Sequence, residues 1–124
     1  MSVSCEQYIG YTLTVKTKLT HADFEMLHAF LDEHPEYDSY NKDNKLVLVI
    51  DGMNGCYARF IYIDKRSNIE FSDNEGTDFL TMPVTEVRPV VYDMMNKAYQ
   101  QLLCDETVQL DSKLIGYAIW LHYS

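Results

Sequence analysis

From Tyr8 to Lys18, Ile9, Tyr11, Leu13 and Val15 alternate with Gly10, Thr12, Thr14 and Lys16. A period of two predicts a strand with one buried face. The period then changes. Phe24, Leu27, Phe30 and Leu31 fall on one side of a helix, with Thr20 as N-cap, Asp23 three residues on, and Leu19 placed to staple onto Phe24. Pro35 ends this helix at about His34, because a residue before proline avoids the helical region.

The run Leu46-Val47-Leu48-Val49-Ile50 is apolar at every position, so it predicts a strand covered on both faces or packed against a partner. Asp51-Gly52 and Asn54-Gly55 are strong turn dipeptides, and residues 57–64 return as the second arm of a hairpin. A short strand at 69–71 is an optional addition. Residues 72–83 read as an acidic loop tucked onto the body by Phe79, Leu80 and Met82. A second helix begins between Thr85 and Pro89, since proline is tolerated in a first turn. Its stripe is Val87, Val91, Met94, Met95, Ala98 and Leu102. A last strand over 113–123 puts Ile115, Tyr117 and Ile119 on one face and Gly116, Ala118 and Trp120 on the other.

The order is β-α-β-β-(β)-α-β in a single globular domain spanning residues 1–124. Without the optional strand it is the split βαβ arrangement of ferredoxin-like folds, and right-handed crossovers put both helices on one face of an antiparallel sheet. Ile9-Gly10-Tyr11 recurs as Ile115-Gly116-Tyr117, and the first and last strands of such a sheet are neighbours. A glycine inside a strand marks a bulge or a close backbone approach.

Composition narrows the possible roles. A chain of 124 residues that is 47% hydrophobic and has ten tyrosines folds around a core and is not disordered. The start of the sequence lacks the pattern of a signal peptide, and no apolar run approaches the ~20 residues of a membrane helix. Cys5, Cys56 and Cys104 have no disulfide-framework or zinc spacing, so three reduced, buried thiols and a cytoplasmic setting are expected.

The net charge is −9, with 19 acidic against 10 basic side chains. Acidic residues dominate the first helix and its exit, including Asp32, Glu33, Glu36 and Asp38, and again the stretch containing Glu70, Asp73, Glu75 and Asp78. This opposes nucleic-acid binding and favours a partner with a basic surface.

Candidate chemistry is thin. Asp51 and Asp64 sit at opposite ends of a hairpin arm, and the first strand has no carboxylate to complete a two-metal site. His21, His28 and His34 lack the i, i+4 spacing of a helical zinc pair. Gly55-Cys56-Tyr57-Ala58-Arg59-Phe60-Ile61-Tyr62 resembles the aromatic strand of RNA recognition motifs, with one inserted residue at Arg59 and Asn54 where that motif has a basic residue. The resemblance implies that Phe60 and Tyr62 stack bases from an open sheet face. The charge argues instead that the sheet aromatics Tyr57, Phe60, Tyr62, Tyr117 and Trp120 pack against a helix or a second copy.

The expectation is therefore a non-catalytic, acidic protein-binding module with no cofactor or metal. Inhibitors and nucleic-acid mimics of the viral anti-defence type share this profile. A homodimeric ligand-sensing or assembly domain built sheet to sheet, and an RNA-binding module, are the alternatives.

Overall fold

The computed structural model describes residues 4–50, 57–70, 79–82 and 87–123. These form β1 (Ser4–Lys16), α1 (His21–Glu33), β2 (Leu46–Ile50), β3 (Ala58–Glu70), β4 (Phe79–Met82), α2 (Pro89–Leu103) and β5 (Ile115–Tyr123). The strands make one sheet in the order β2-β3-β1-β5-β4, antiparallel at every pairing. The fold is α+β. Strands β5, β1, β3 and β2 stand in ferredoxin-like order, and β4 extends the sheet beyond β5.

Local sequence explains the helix boundaries. The Thr20 hydroxyl accepts from the Asp23 amide at 3.2 Å, and the Asp23 carboxylate accepts from the Thr20 amide at 2.8 Å. This reciprocal box satisfies two amides that the first turn cannot pair internally. At the other end, His34 precedes Pro35 and leaves helical geometry at φ −128°, ψ 67°. Helix α2 opens on Pro89, as its sequence predicts. It closes on Cys104 in the left-handed region at φ 54°, a conformation that costs energy for a residue with a Cβ. That cap position leaves Cys104 exposed, which corrects the expectation that it is buried.

Both helices pack on one face of the sheet. Leu27 and Phe30 of α1 and Val91, Met95, Ala98 and Leu102 of α2 meet Tyr11, Leu13, Leu46, Leu48 and Phe60. Burying each large apolar side chain contributes about 1.5–3 kcal/mol, so this layer carries much of the stability. Phe30 stacks on Tyr37 at 5.8 Å, and Phe60 meets both rings edge-on. The Tyr37 hydroxyl donates to Gln101 Oε1 at 2.5 Å, which ties the turn after α1 to α2.

The opposite face carries a second buried cluster of Tyr8, Val47, Val49, Ile61 and Ile63. These residues are at most 7% exposed within one chain. The uniformly apolar β2 is thus covered on both sides, one of the two alternatives its pattern left open. The second face is therefore buried at these five positions within one chain, where an exposed apolar face was expected.

Two further differences concern β3 and β4. Residues 69 and 70 continue the long β3 and do not form a separate strand. Phe79–Met82 is the added strand, although its surroundings read as loop. Four residues with Thr81 among them are too few to show a period of two. The expected turn at 51–55 lies outside the described residues.

Candidate functional site

The acidic surface expected from the sequence is partly visible. Asp32 and Glu33 are exposed on the last turn of α1, which contains no basic residue. Neither has an ion-pair partner among the described residues. Both carboxylates therefore sit at the carbonyl end of the helix dipole, where negative charge is disfavoured.

Glu36 is exposed and lies 3.6 Å from His34 Nδ1. Asp38 has a structural role: its Oδ1 accepts the Tyr40 amide at 2.9 Å, its carbonyl accepts from Asn44 at 3.0 Å, and its backbone bridges Leu48 of the edge strand β2. Asp73, Glu75 and Asp78 lie outside the described residues.

The five sheet aromatics do not share an open face. Phe60 is fully buried in the helix-side core, and Tyr62 and Tyr117 pack against that same core. Tyr57 packs against the second cluster. The side chain of Trp120 lies outside the described set. Helices cover the face that base stacking would need, so Phe60 and Tyr62 do not stand as they do in RNA recognition motifs. The extra residue at Arg59 has the consequence expected of a period-two strand, since a one-residue slip exchanges the two faces.

Tyr11, Tyr62, Tyr117, Asp64 and Arg88 form a polar cluster that the sequence did not single out as a unit. It is built from the backbone outward. Ile9 pairs with Lys65 and Gly10 with Ile63, leaving Asp64 as the extra residue of a bulge. Gly10 permits this close approach: a Cβ there would lie 1.9 Å from the Tyr62 carbonyl oxygen. Across β1, Tyr11 pairs with Tyr117, and their rings meet edge to face at 5.2 Å.

The carboxylate at the bulge is held on both sides. Asp64 Oδ1 accepts from Arg88 at 2.8 Å and Oδ2 accepts from the Tyr117 hydroxyl at 2.9 Å. The Arg88 guanidinium lies over the Tyr11 ring at 5.4 Å and the Tyr62 ring at 5.7 Å, within range of cation–π attraction. Hydrogen bonding by Tyr11, then by Asp64, strengthens its hold on its proton. Desolvation, followed by the Asp64 carboxylate, raises the Tyr117 phenol above its ordinary range.

The repeated Ile-Gly-Tyr was a sequence signal only that the terminal strands are neighbours; the antiparallel register is what sets Tyr11 opposite Tyr117. Nothing local marks Arg88, which meets Asp64 across 24 residues of chain.

A cavity of about 290 Å³ lies between the turn after α1 and α2, lined by Glu36, Tyr37, Asn44, Lys45, Met94 and Lys97. Both charge signs line it. Among the described residues no group of three or more His, Cys, Asp or Glu is placed to hold a metal. No described helix is long and apolar enough to cross a membrane. Compared with known proteins, the chain matches no family model, no curated protein and no solved structure.

Proposed function

We propose that this chain is a non-catalytic protein-binding module that presents an acidic surface to a basic partner, acting as an inhibitor or nucleic-acid mimic. One observation carries the reading: Asp32 and Glu33 stand exposed at the carbonyl end of α1, with no ion-pair partner among the described residues. Fold stability alone does not favour carboxylates there. Each works against the helix dipole by about 0.3–1 kcal/mol, and a lysine at the same place would gain a similar amount. A cationic partner turns that local penalty into attraction, because dipole and carboxylates then act together. The net charge of −9 adds long-range steering, which speeds encounter with a positive surface and weakens as salt rises.

The test is affinity capture by the wild type and by a variant carrying Asp32→Lys and Glu33→Lys. The wild type retains basic proteins at low salt and releases them at high salt, and the variant loses them. Recovery of the same proteins by both chains contradicts the proposal.

A second reading, a small-ligand-sensing domain, has one observation in its favour. The 290 Å³ cavity is lined by carboxylate and ammonium groups together with Tyr37, Leu46 and Met94, and its size is near the lower end for small-molecule sites.

A further inference from the structure

We infer that Tyr11, Tyr62, Tyr117 and Asp64 form a receptor for a guanidinium group, and that Arg88 is its resident, exchangeable occupant. The cluster brings together the elements of cation recognition. It has two aromatic faces in contact with the charge, at 5.4 and 5.7 Å, and a carboxylate that accepts from the guanidinium at 2.8 Å. The Tyr117 hydroxyl donates to the other carboxylate oxygen and so fixes its orientation. Guanidinium suits this set better than ammonium, because it is planar, stacks on rings and hydrogen-bonds along its edge at the same time.

The backbone argues that the arrangement is more than a surface ion pair. Asp64 reaches its position through a bulge, and the bulge requires a glycine at position 10 on the next strand. Bulges are enriched beside functional sites, where they redirect a side chain. An ordinary exposed salt bridge contributes little and needs no such device.

Arg88 is also placed to leave. Its side chain is 52% exposed and makes no capping hydrogen bond to α2. Its backbone carbonyl accepts from the Val91 and Tyr92 amides, each at 3.0 Å. The start of α2 is thus secured through the main chain, and the guanidinium can swing out without unwinding the helix. The vacated site would present two ring faces and a free carboxylate oxygen to an arginine from outside. This inference does not rest on the acidic end of α1, and exchanging Asp32 and Glu33 leaves it intact.

The test uses nuclear magnetic resonance on the full chain with three probes of one positive charge each: an acetylated, amidated Gly-Arg-Gly peptide, its Gly-Lys-Gly counterpart, and methylguanidinium as a small free guanidinium. In the wild type, the arginine peptide moves the Arg88 Nε–Hε signal toward its unbound position, and the Tyr11, Tyr62 and Tyr117 signals shift in the same titration. Arg88→Ala removes the internal competitor. It binds the arginine peptide on the order of ten-fold more tightly, as expected if Arg88 fills the site about nine-tenths of the time. Adding Asp64→Asn to that variant abolishes the gain.

Tighter binding of the peptide than of methylguanidinium identifies a macromolecular source, and equal or weaker binding of the peptide a small-molecule source. Both outcomes support a guanidinium receptor. Two results overturn it. One is the absence of shifts at these residues in the wild type up to about 10 mM probe, beyond the millimolar range of weak sites. The other is equal binding of the lysine and arginine peptides. The wild-type titration decides the matter even if Arg88→Ala fails to fold.

Discussion

An alanine methyl at position 10 would lie 1.9 Å from the backbone oxygen of Tyr62, a separation that neither strand can accommodate without moving. Gly10→Ala is therefore expected to cost about 3 kcal/mol or more, at the upper end of overpacking effects. Chemical denaturation measures this directly, and a loss below about 1 kcal/mol would mean that the strands relax around the methyl. At this scale the sequence was partly legible. Glycine inside the first strand signalled close approach, and the repeated tripeptide pointed to neighbouring terminal strands, though not to the register that pairs Tyr11 with Tyr117. Asp64 drew attention only as half of a metal pair with Asp51. Its real neighbours, Arg88 and Tyr117, are 24 and 53 residues away, and no periodicity encodes such a meeting.

Helix α1 shows how much of a helix local sequence decides. Its N-terminal box was legible because capping depends on residues three apart. Hydrogen bonding by the Thr20 amide, and then the Lys16 ammonium, hold the Asp23 carboxyl at about 2, below its usual 3.8. A carboxyl lowered on folding stabilises the native state above its unfolded value, and that contribution fades as pH falls through the folded value. The stability difference between wild type and Asp23→Asn should therefore shrink as the pH falls from about 4 to about 2. Denaturation in paired buffers checks it; a constant difference across that window contradicts the role of the capping box. By contrast, β4 escaped the sequence reading. Four residues do not establish a period, and pairing with β5 makes them a strand.

Across the whole molecule, the sheet buries a core on its helix side and a second cluster on its other face within one chain. The sequence showed that β2 is apolar on both sides, but how its residues join a second buried cluster depends on strand pairing that no local pattern encodes. If the second cluster is a true core, Ile61→Ala should destabilise the chain by about 2–5 kcal/mol, as in any well-packed interior. An open face awaiting a dimer partner would make the same change nearly neutral in dilute solution. The helix-side core was more fully legible, with Val91, Met95, Ala98 and Leu102 buried at the positions their spacing predicts. The acidic surface was legible as a composition. Its electrostatic placement, at the carbonyl end of α1, emerged only with the helix boundaries.

In the proposed role, Asp32 and Glu33 serve a partner at the expense of the helix. The most direct measurement takes one variant, Asp32→Asn with Glu33→Gln, and records its folding free energy and its retention of basic proteins at low salt. The predicted result is a chain more stable by about 0.6–2 kcal/mol, twice the single-site dipole effect, that no longer retains those proteins. A chain that is no more stable and still binds them as well as the wild type would contradict this role for Asp32 and Glu33.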